Sequence, residues 1–344
     1  MQNKSENETV DLVKAMMALL ILAIHTPLLG RWTHILMPVC RLGVPFFFTV
    51  GSYFFFNKVK KVEEEEKLGI LKNYILRNIK LYSFWFIVSF PLCAEERYSS
   101  CFADGLMNGI WLMLKKCLFG STWMASWYIA ATIIGTIIIY ILSKKIKNNV
   151  LLFFSAIIYL ICCFASNYWG IFSAENLMVK IINGYTQYLG SNIFCSFPVS
   201  LFWISLGKKL ADEGAKKINI RYFVIAFTLL VVESIVVILL GVQYMTDCYI
   251  LLIPTVFLGV SYVLATDIKV TYSRYLRAFS VVVFCSQGIF ITIFNKVFMR
   301  LGIIENVKID ILKYCLIVIC CVIATGIILK MEKNRFLHFL KYVH

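Results

Sequence analysis

The sequence predicts an all-α, polytopic membrane protein of about ten transmembrane helices, with N- and C-termini cytoplasmic. Three observations predict it. Apolar residues make up 60% of the 344 residues and charged residues 15%, against roughly 45–50% and about 25% in soluble domains. Mean hydropathy is +0.80, and the excess runs the whole length rather than in one anchor. Lysine and arginine concentrate in alternate connecting segments, which sets the orientation by the positive-inside rule. That alternation also accounts for the net charge of +15, so the expected partner is the lipid bilayer and not nucleic acid.

Apolar windows long enough to span fall near residues 11–29, 37–56, 78–94, 122–142, 149–165, 192–207, 222–241, 248–265, 279–295 and 310–330. The segment after the second window carries Lys58, Lys60, Lys61, Lys67, Lys72, Arg77 and Lys80. Further clusters are Lys144, Lys145 and Lys147; Lys208, Lys209, Lys216, Lys217 and Arg221; and Lys269, Arg274 and Arg277. The run Val62–Lys67 reads as a solvated helix start. Two outer segments are longer than topology needs. Residues 94–121 hold the apolar stretch Gly105–Leu114, too short to span and expected as an interfacial or re-entrant helix. Residues 166–191 hold Tyr168, Trp169, Tyr185 and Tyr188, expected as an interface belt, with a substrate lid as the alternative. Most of the twelve cysteines lie inside apolar runs as small hydrophobes, without metal-ligand spacing. Cys93 and Cys101 flank an outer segment and are the pair whose approach merits checking. The polar N-terminus lacks a secretory leader pattern.

The first window is unusual because ionisable groups sit at both of its ends. Lys14 and His25 are eleven positions apart, almost a whole number of turns, so they leave the helix on nearly one face, roughly 16 Å apart along the axis. Asp11 stands three residues before Lys14, within reach to pair with it. The bland reading has Asp11 and Lys14 snorkelling at one interface and His25 in the other; the functional reading turns all three toward a polar cavity. Other polar groups within windows are Arg41, Glu233 and Gln287. Arg41 precedes Leu-Gly-Val-Pro45, and a proline-broken ladder would free carbonyls for its guanidinium. Glu233 is a functional or helix-pairing carboxylate, and Gln287 reads as interhelical glue. Trp127, in Trp123-Met-Ala-Ser-Trp127-Tyr128, opens the fourth window at the outer surface, where a belt residue is the alternative to a substrate contact. Arg77 and Lys80, three apart, stack two cations that would attract a phosphate, the alternative being positive-inside bias alone.

Lys14-x10-His25, Arg41-Leu-Gly-Val-Pro-Phe-Phe-Phe-Thr-Val-Gly-Ser-Tyr, Arg77-x-x-Lys80 and Ser126-Trp127-Tyr128 together resemble the acyltransferase 3 family of integral membrane proteins. The resemblance covers essentially the whole chain and implies about ten core helices. It implies His25 as the base for acyl transfer to an extracytoplasmic acceptor, and Arg77 and Lys80 against acyl-CoA. The chain departs from the family pattern at Lys14 and Lys80, where arginine is usual and lysine loses the bidentate fork. The late-span serine-to-histidine pattern reads here as Ser280 through Gln287, without the histidine. Arg41–Phe48, Asp247-Cys-Tyr-Ile-Leu-Leu-Ile-Pro254 and the Ser191…Pro198 segment are similar to the N-terminal membrane part of membrane-bound, vancomycin-resistance type serine racemases.

That narrower likeness implies a membrane domain over residues 1–335 and the start of a cytoplasmic linker at 336–344, a downstream racemase domain being absent from this chain. It implies L-serine supply across the membrane to a pyridoxal-phosphate-dependent domain, with pyridoxal phosphate and any homodimer contact belonging to that domain. Within this chain no resident cofactor is expected, and acyl-CoA is the possible co-substrate. Serine delivery is the favoured reading and acyl-CoA-dependent transfer the alternative. In serine delivery Arg41 or Lys14 takes the amino-acid carboxylate, with Trp127, Glu233 and Gln287 at the substrate. In acyl-CoA-dependent transfer His25 acts as general base, with Asp11 and Lys14 on the same helix.

Overall fold

The computed structural model describes residues 7–26, 33–103, 105–173, 175–304 and 306–344. Residues 27–29 of the first expected window lie outside the described residues, as does the side chain of Cys93; Cys101 is buried. Among the described residues the chain is all helical, without strands.

The helix α1 (Glu8–His25) starts on Asn7, whose side chain accepts the Val10 N–H. The second window is two helices, α2 (Thr33–Cys40) and α3 (Gly43–Val59), with a turn at Arg41 and Leu42. Pro45 is thus the third residue of α3, where a missing N–H costs nothing because first-turn donors have no intrahelical partner. The ladder is interrupted just upstream of Pro45, at that turn, rather than within α3. Next come α4 (Glu64–Tyr98), α5 (Leu106–Phe119), α6 (Trp127–Leu142), α7 (Asn148–Ser166) and α8 (Leu177–Leu189). After these follow α9 (Phe197–Glu213), α10 (Ile220–Leu240), α11 (Leu252–Leu264), α12 (Ser273–Arg300) and α13 (Val307–Met331), then a 3₁₀ segment, Arg335–Tyr342. The stretch expected as an interfacial helix is α5, while α8 lies in the segment read as an aromatic belt or a substrate lid.

Among the described residues five helical stretches are long and apolar enough to cross a membrane: Leu36–Val59, Asn148–Ser166, Ile220–Leu240, Ser273–Arg300 and Val307–Met331. Their outward faces stay apolar: Leu239, Ile323 and Phe153 are exposed, which lipid tolerates and water does not.

Packing is centred on α9, whose residues 198–207 are buried on all sides. Gly207 lets α3 approach closely: a Cβ there would stand 2.0 Å from Ser52 Oγ and 2.3 Å from the Thr49 carbonyl. Small residues at helix contacts serve membrane bundles in this way. The Tyr159 ring packs on Phe202 and Trp203, joining α7 to the same core. A second body of packing joins α1, α12 and α13, with Leu22, Val283, Ile291, Ile317 and Cys321 buried together.

Hydrogen bonds place the start of α1 beside the end of α11, through Thr9 Oγ1 to the Thr266 carbonyl at 3.0 Å. They likewise place the end of α13 beside the start of α12, through Arg274 and Glu332. The end of α3 meets the end of α9, where Lys60 Nζ donates to the Asp212 carbonyl at 2.8 Å. The lysine-rich connections gather at this end, called the basic end below. His25 and Arg41 lie toward the other.

Candidate functional site

At the basic end, Asp11 is 3% exposed and its carboxylate is taken by α12. Arg277 donates Nε to Oδ1 at 3.0 Å and Nη2 to Oδ2 at 2.7 Å, and the Ser273 hydroxyl donates to Oδ2 at 2.6 Å. The expected Asp11–Lys14 pairing gives way to this pair because a guanidinium meets a carboxylate with two parallel bonds and an ammonium cannot. Lys14 instead places Nζ 5.6 Å from the centre of the Phe54 ring on α3.

His25 is the last residue of α1, and it lies one turn beyond Ile21 on the same face. Ile21 is buried in a cluster with Trp123, Ile129, Val282, Phe284 and Cys285, which the Tyr128 ring joins. Trp123 belongs to the connection between α5 and α6, whose backbone is held by Ser126: its hydroxyl accepts the N–H groups of Thr122 at 2.8 Å and Trp123 at 3.2 Å. Ala125 takes φ +65° there, a left-handed conformation that costs an alanine roughly 1 kcal/mol or more. Met124 then sits on α12, with Cβ 2.6 Å from where a Cβ on Gly288 would stand. Tyr128 stacks among Phe48 (4.4 Å), Phe284 (5.0 Å) and Phe47 (6.4 Å), tying α6 to α3 and α12. Trp127 packs on Phe48 at 6.2 Å, half-buried beside this group.

Gln287 is fully buried on α12. Its amide nitrogen donates to the Phe284 carbonyl at 3.0 Å, while its amide oxygen accepts nothing among the described residues. The two helices run parallel from the Asp11–Arg277 pair. Fourteen residues take α1 from Asp11 to His25, roughly 21 Å of rise, and the same rise on α12 reaches Ile291, one turn past Gln287. A histidine and a buried, open acceptor therefore stand at similar depth beside the Trp123 cluster. A hydroxyl- or ammonium-bearing molecule would satisfy that acceptor, an empty buried one being costly.

Two expected residues stand elsewhere. Arg41 Nε donates to the Thr246 carbonyl at 2.8 Å and Nη1 to Asp247 at 2.6 Å. The guanidinium is therefore spent on the connection between α10 and α11, not on carbonyls near Pro45. Glu233 accepts the N–H groups of Ile250 at 2.6 Å and Leu251 at 2.8 Å, and the Tyr168 hydroxyl. It ties the turn that enters α11 to α10 and to Tyr168, the helix-pairing role of the two expected for it.

Arg77 and Lys80, on α4, face the C-terminal segment. Lys80 Nζ lies 4.1 Å from the centre of the Tyr342 ring, and Arg77 donates to the His344 carbonyl at 3.5 Å. Trp85 Nε1 donates to the Val343 carbonyl at 3.1 Å. His344 Nε2 stands 2.6 Å from Glu332, which also binds Arg274. Burial raises the Glu332 carboxyl, but the bond and charge of His344 and the Arg274 guanidinium outweigh it and hold it below the ordinary carboxylate value. Glu332 carries no signal in the sequence, Tyr168 reads there as a belt aromatic and Asp247 only as part of a motif. Arg277 was visible only as a topology-setting charge.

Among the described residues no group of histidine, cysteine and carboxylate side chains is arranged to hold a metal ion. No solved structure matches the chain. An amino-acid racemase of Enterococcus faecalis is 26% identical over 343 residues, covering 94% of this chain and 46% of that protein. A second amino-acid racemase of the same organism is 29% identical over 261 residues, 72% of this chain and 34% of its own length. A serine/alanine racemase of Enterococcus gallinarum is 23% identical over 171 residues, 48% and 24% respectively. The chain thus spans less than half the length of these relatives. The acyltransferase domain family model matches residues 7–330, nearly the whole chain, and the chain belongs to that family of membrane proteins.

Proposed function

We propose that the chain transfers an acyl group from a cytoplasmic thioester donor, of the acyl-CoA class, to a hydroxyl acceptor on the opposite side of the membrane. The observation that carries the reading is that His25, at the end of α1, and buried Gln287 on α12 lie within about one turn of the same depth by helix rise, Gln287 with an open amide oxygen. The proposal includes about ten crossings, with the basic end and both chain ends in the cytoplasm. In it, neutral His25 takes the proton of the acceptor hydroxyl as its oxygen attacks the thioester carbonyl carbon. The C–S bond then breaks, the thiolate leaves with the proton from the imidazolium, and an ester remains. The Gln287 amide oxygen accepts a second donor from the acceptor and orients it. The donor head group binds Arg77 and Lys80 after displacing Tyr342, and its acyl arm follows α1 from Lys14 to His25, about 16 Å.

A second reading is delivery of L-serine to a cytoplasmic racemase domain. The match of almost the whole chain to an amino-acid racemase favours it. Against it, Arg41, expected to take the amino-acid carboxylate, is engaged by Asp247. Reconstituted liposomes separate the two. With acetyl-labelled acetyl-CoA outside and L-serine or N-acetylglucosamine inside, label on an internal hydroxyl supports transfer. Counterflow of labelled L-serine, with no acetylated product on either acceptor, supports delivery and contradicts transfer.

A further inference from the structure

A cleft of about 570 Å³ opens at the basic end between α3, α4, α6 and α9. It is lined by Phe56, Val59 and Tyr140, and by Lys60, Lys67, Lys144 and Lys208 with Glu64 and Asp212. Four ammonium groups face two carboxylates, so the cleft holds two positive charges in excess. Lys208 is fixed without being exhausted, while Lys60 and Lys144 are exposed. Lys208 gives two of its three donors, to Asn148 Oδ1 at 2.7 Å and Asp212 Oδ2 at 2.6 Å, with Asn148 itself bonded to Asp212 at 2.6 Å. Lys60 rests on the last carbonyls of α9, at Ala211 and Asp212, where a helix end favours a cation. Lys144 lies 4.9 Å from the centre of the Tyr140 ring. Neither Lys60 nor Lys144 has a carboxylate partner within salt-bridge distance among the described residues.

The second observation is Tyr140 itself. It is 5% exposed, and its hydroxyl has no hydrogen-bond partner among the described residues. A buried phenol without a partner is costly, and Tyr140 lines the cleft with its hydroxyl closed to solvent, so that a turn of the side chain would bring it to a ligand held by the surplus ammonium donors. Positive-inside bias explains lysines anywhere on these connections; it does not explain an orphan hydroxyl among them. We infer that this cleft binds a phosphate ester. The phosphate takes the free donors of Lys60 and Lys144 and the Tyr140 hydroxyl, and the attached organic group lies on Phe56 and Val59. The volume falls within the range of small-molecule sites, about 300–1,000 Å³, so the ligand is larger than free phosphate. The ester comes either from a soluble metabolite or from an anionic lipid head group. The inference does not depend on acyl transfer at His25.

The test uses the full chain, with two probes. Calorimetric titration of detergent-solubilised protein with sn-glycerol 3-phosphate reads the soluble source. Native mass spectrometry after exchange into phosphatidylglycerol or phosphatidylcholine reads the lipid source. Saturable binding of glycerol phosphate, or selective retention of phosphatidylglycerol, is expected. Either should fall about tenfold or more in Lys60→Ala plus Lys144→Ala, as for the loss of charge-assisted hydrogen bonds. Tyr140→Phe, which keeps the ring and the packing, should weaken the same probe. Lys145→Ala plus Lys147→Ala removes equal charge from the connection after α6, outside the cleft, and should leave binding intact. Absence of saturable binding by both probes overturns the proposal, as does equal loss in the two lysine pairs.

Discussion

Asp11 and Arg277 join the first turn of α1 to the first turns of α12 by two bonds, 3.0 and 2.7 Å, although 266 residues separate them. The pair is asymmetric: the Asp11 side chain is 4% exposed and that of Arg277 33%. Arg277→Ala leaves a buried carboxylate with the Ser273 hydroxyl and the more distant charge of Lys14, at an expected cost of about 3 kcal/mol. Asp11→Ala leaves a guanidinium that reaches solvent, costing about 1 kcal/mol or less. Thermal unfolding in detergent should therefore rank Arg277→Ala well below Asp11→Ala. Equal midpoints would contradict this placement.

Arg41 and Asp247 order the connection from α10 to α11. Tyr244 and Met245 donate N–H groups to the Ser166 carbonyl, and the Asp247 N–H donates to Ser166 Oγ. Arg41→Ala should raise hydrogen exchange at these three amides. Arg41→Lys should raise it less, since lysine keeps the charge and loses the Nε bond to Thr246. Unchanged exchange in Arg41→Ala would mean that Ser166 and Asn167 hold the connection alone.

Glu332 makes the C-terminal segment sensitive to acid. Its carboxyl lies below the ordinary 4.5 when the segment is docked, so docking stabilises the charged form. That contribution is full above about 4.5 and is lost as pH falls through the lowered folded value. Protection of the amides of residues 337–343 should drop in acid, and Glu332→Gln should remove the dependence. A flat profile in both proteins would show that Leu340 and Val343 alone anchor the segment.

The helices were legible because a membrane span is a long apolar run, and residue type alone reveals it. The split of the second window was less so. Gly43 and Pro45 together mark a helix start as readily as a kink, and the helix-start reading applies. Site partners were opaque wherever the partner is distant in sequence. Asp11 was read against Lys14 because helical spacing is visible, whereas Arg277 arrives through the fold. The face shared by Lys14 and His25 followed from spacing. What each meets, Phe54 for one and the Trp123 cluster beside the other, did not. Glu233 was visible as an oddity, but its task depends on where α11 begins.

Tyr342 stands over Lys80 where the proposed donor head group would bind. Tyr342→Ala should tighten acetyl-CoA binding a fewfold. Arg77→Ala plus Lys80→Ala should weaken it, with the larger loss at low salt because screening already reduces the wild-type attraction at high salt. Equal acetyl-CoA affinity in wild type, Tyr342→Ala and the double variant would remove these residues from the donor site.

The central claim is that His25 acts on the acceptor at the depth of Gln287. The direct measurement is acetyl transfer by reconstituted His25→Ala protein, with Gln287→Leu as companion and acetyl-CoA binding as the folding control. Loss of a general base should lower turnover by about 10²–10⁴-fold, with acetyl-CoA binding unchanged. Gln287→Leu should chiefly raise the acceptor KM, since it removes the orienting amide oxygen. Transfer by His25→Ala at the wild-type rate would contradict the account.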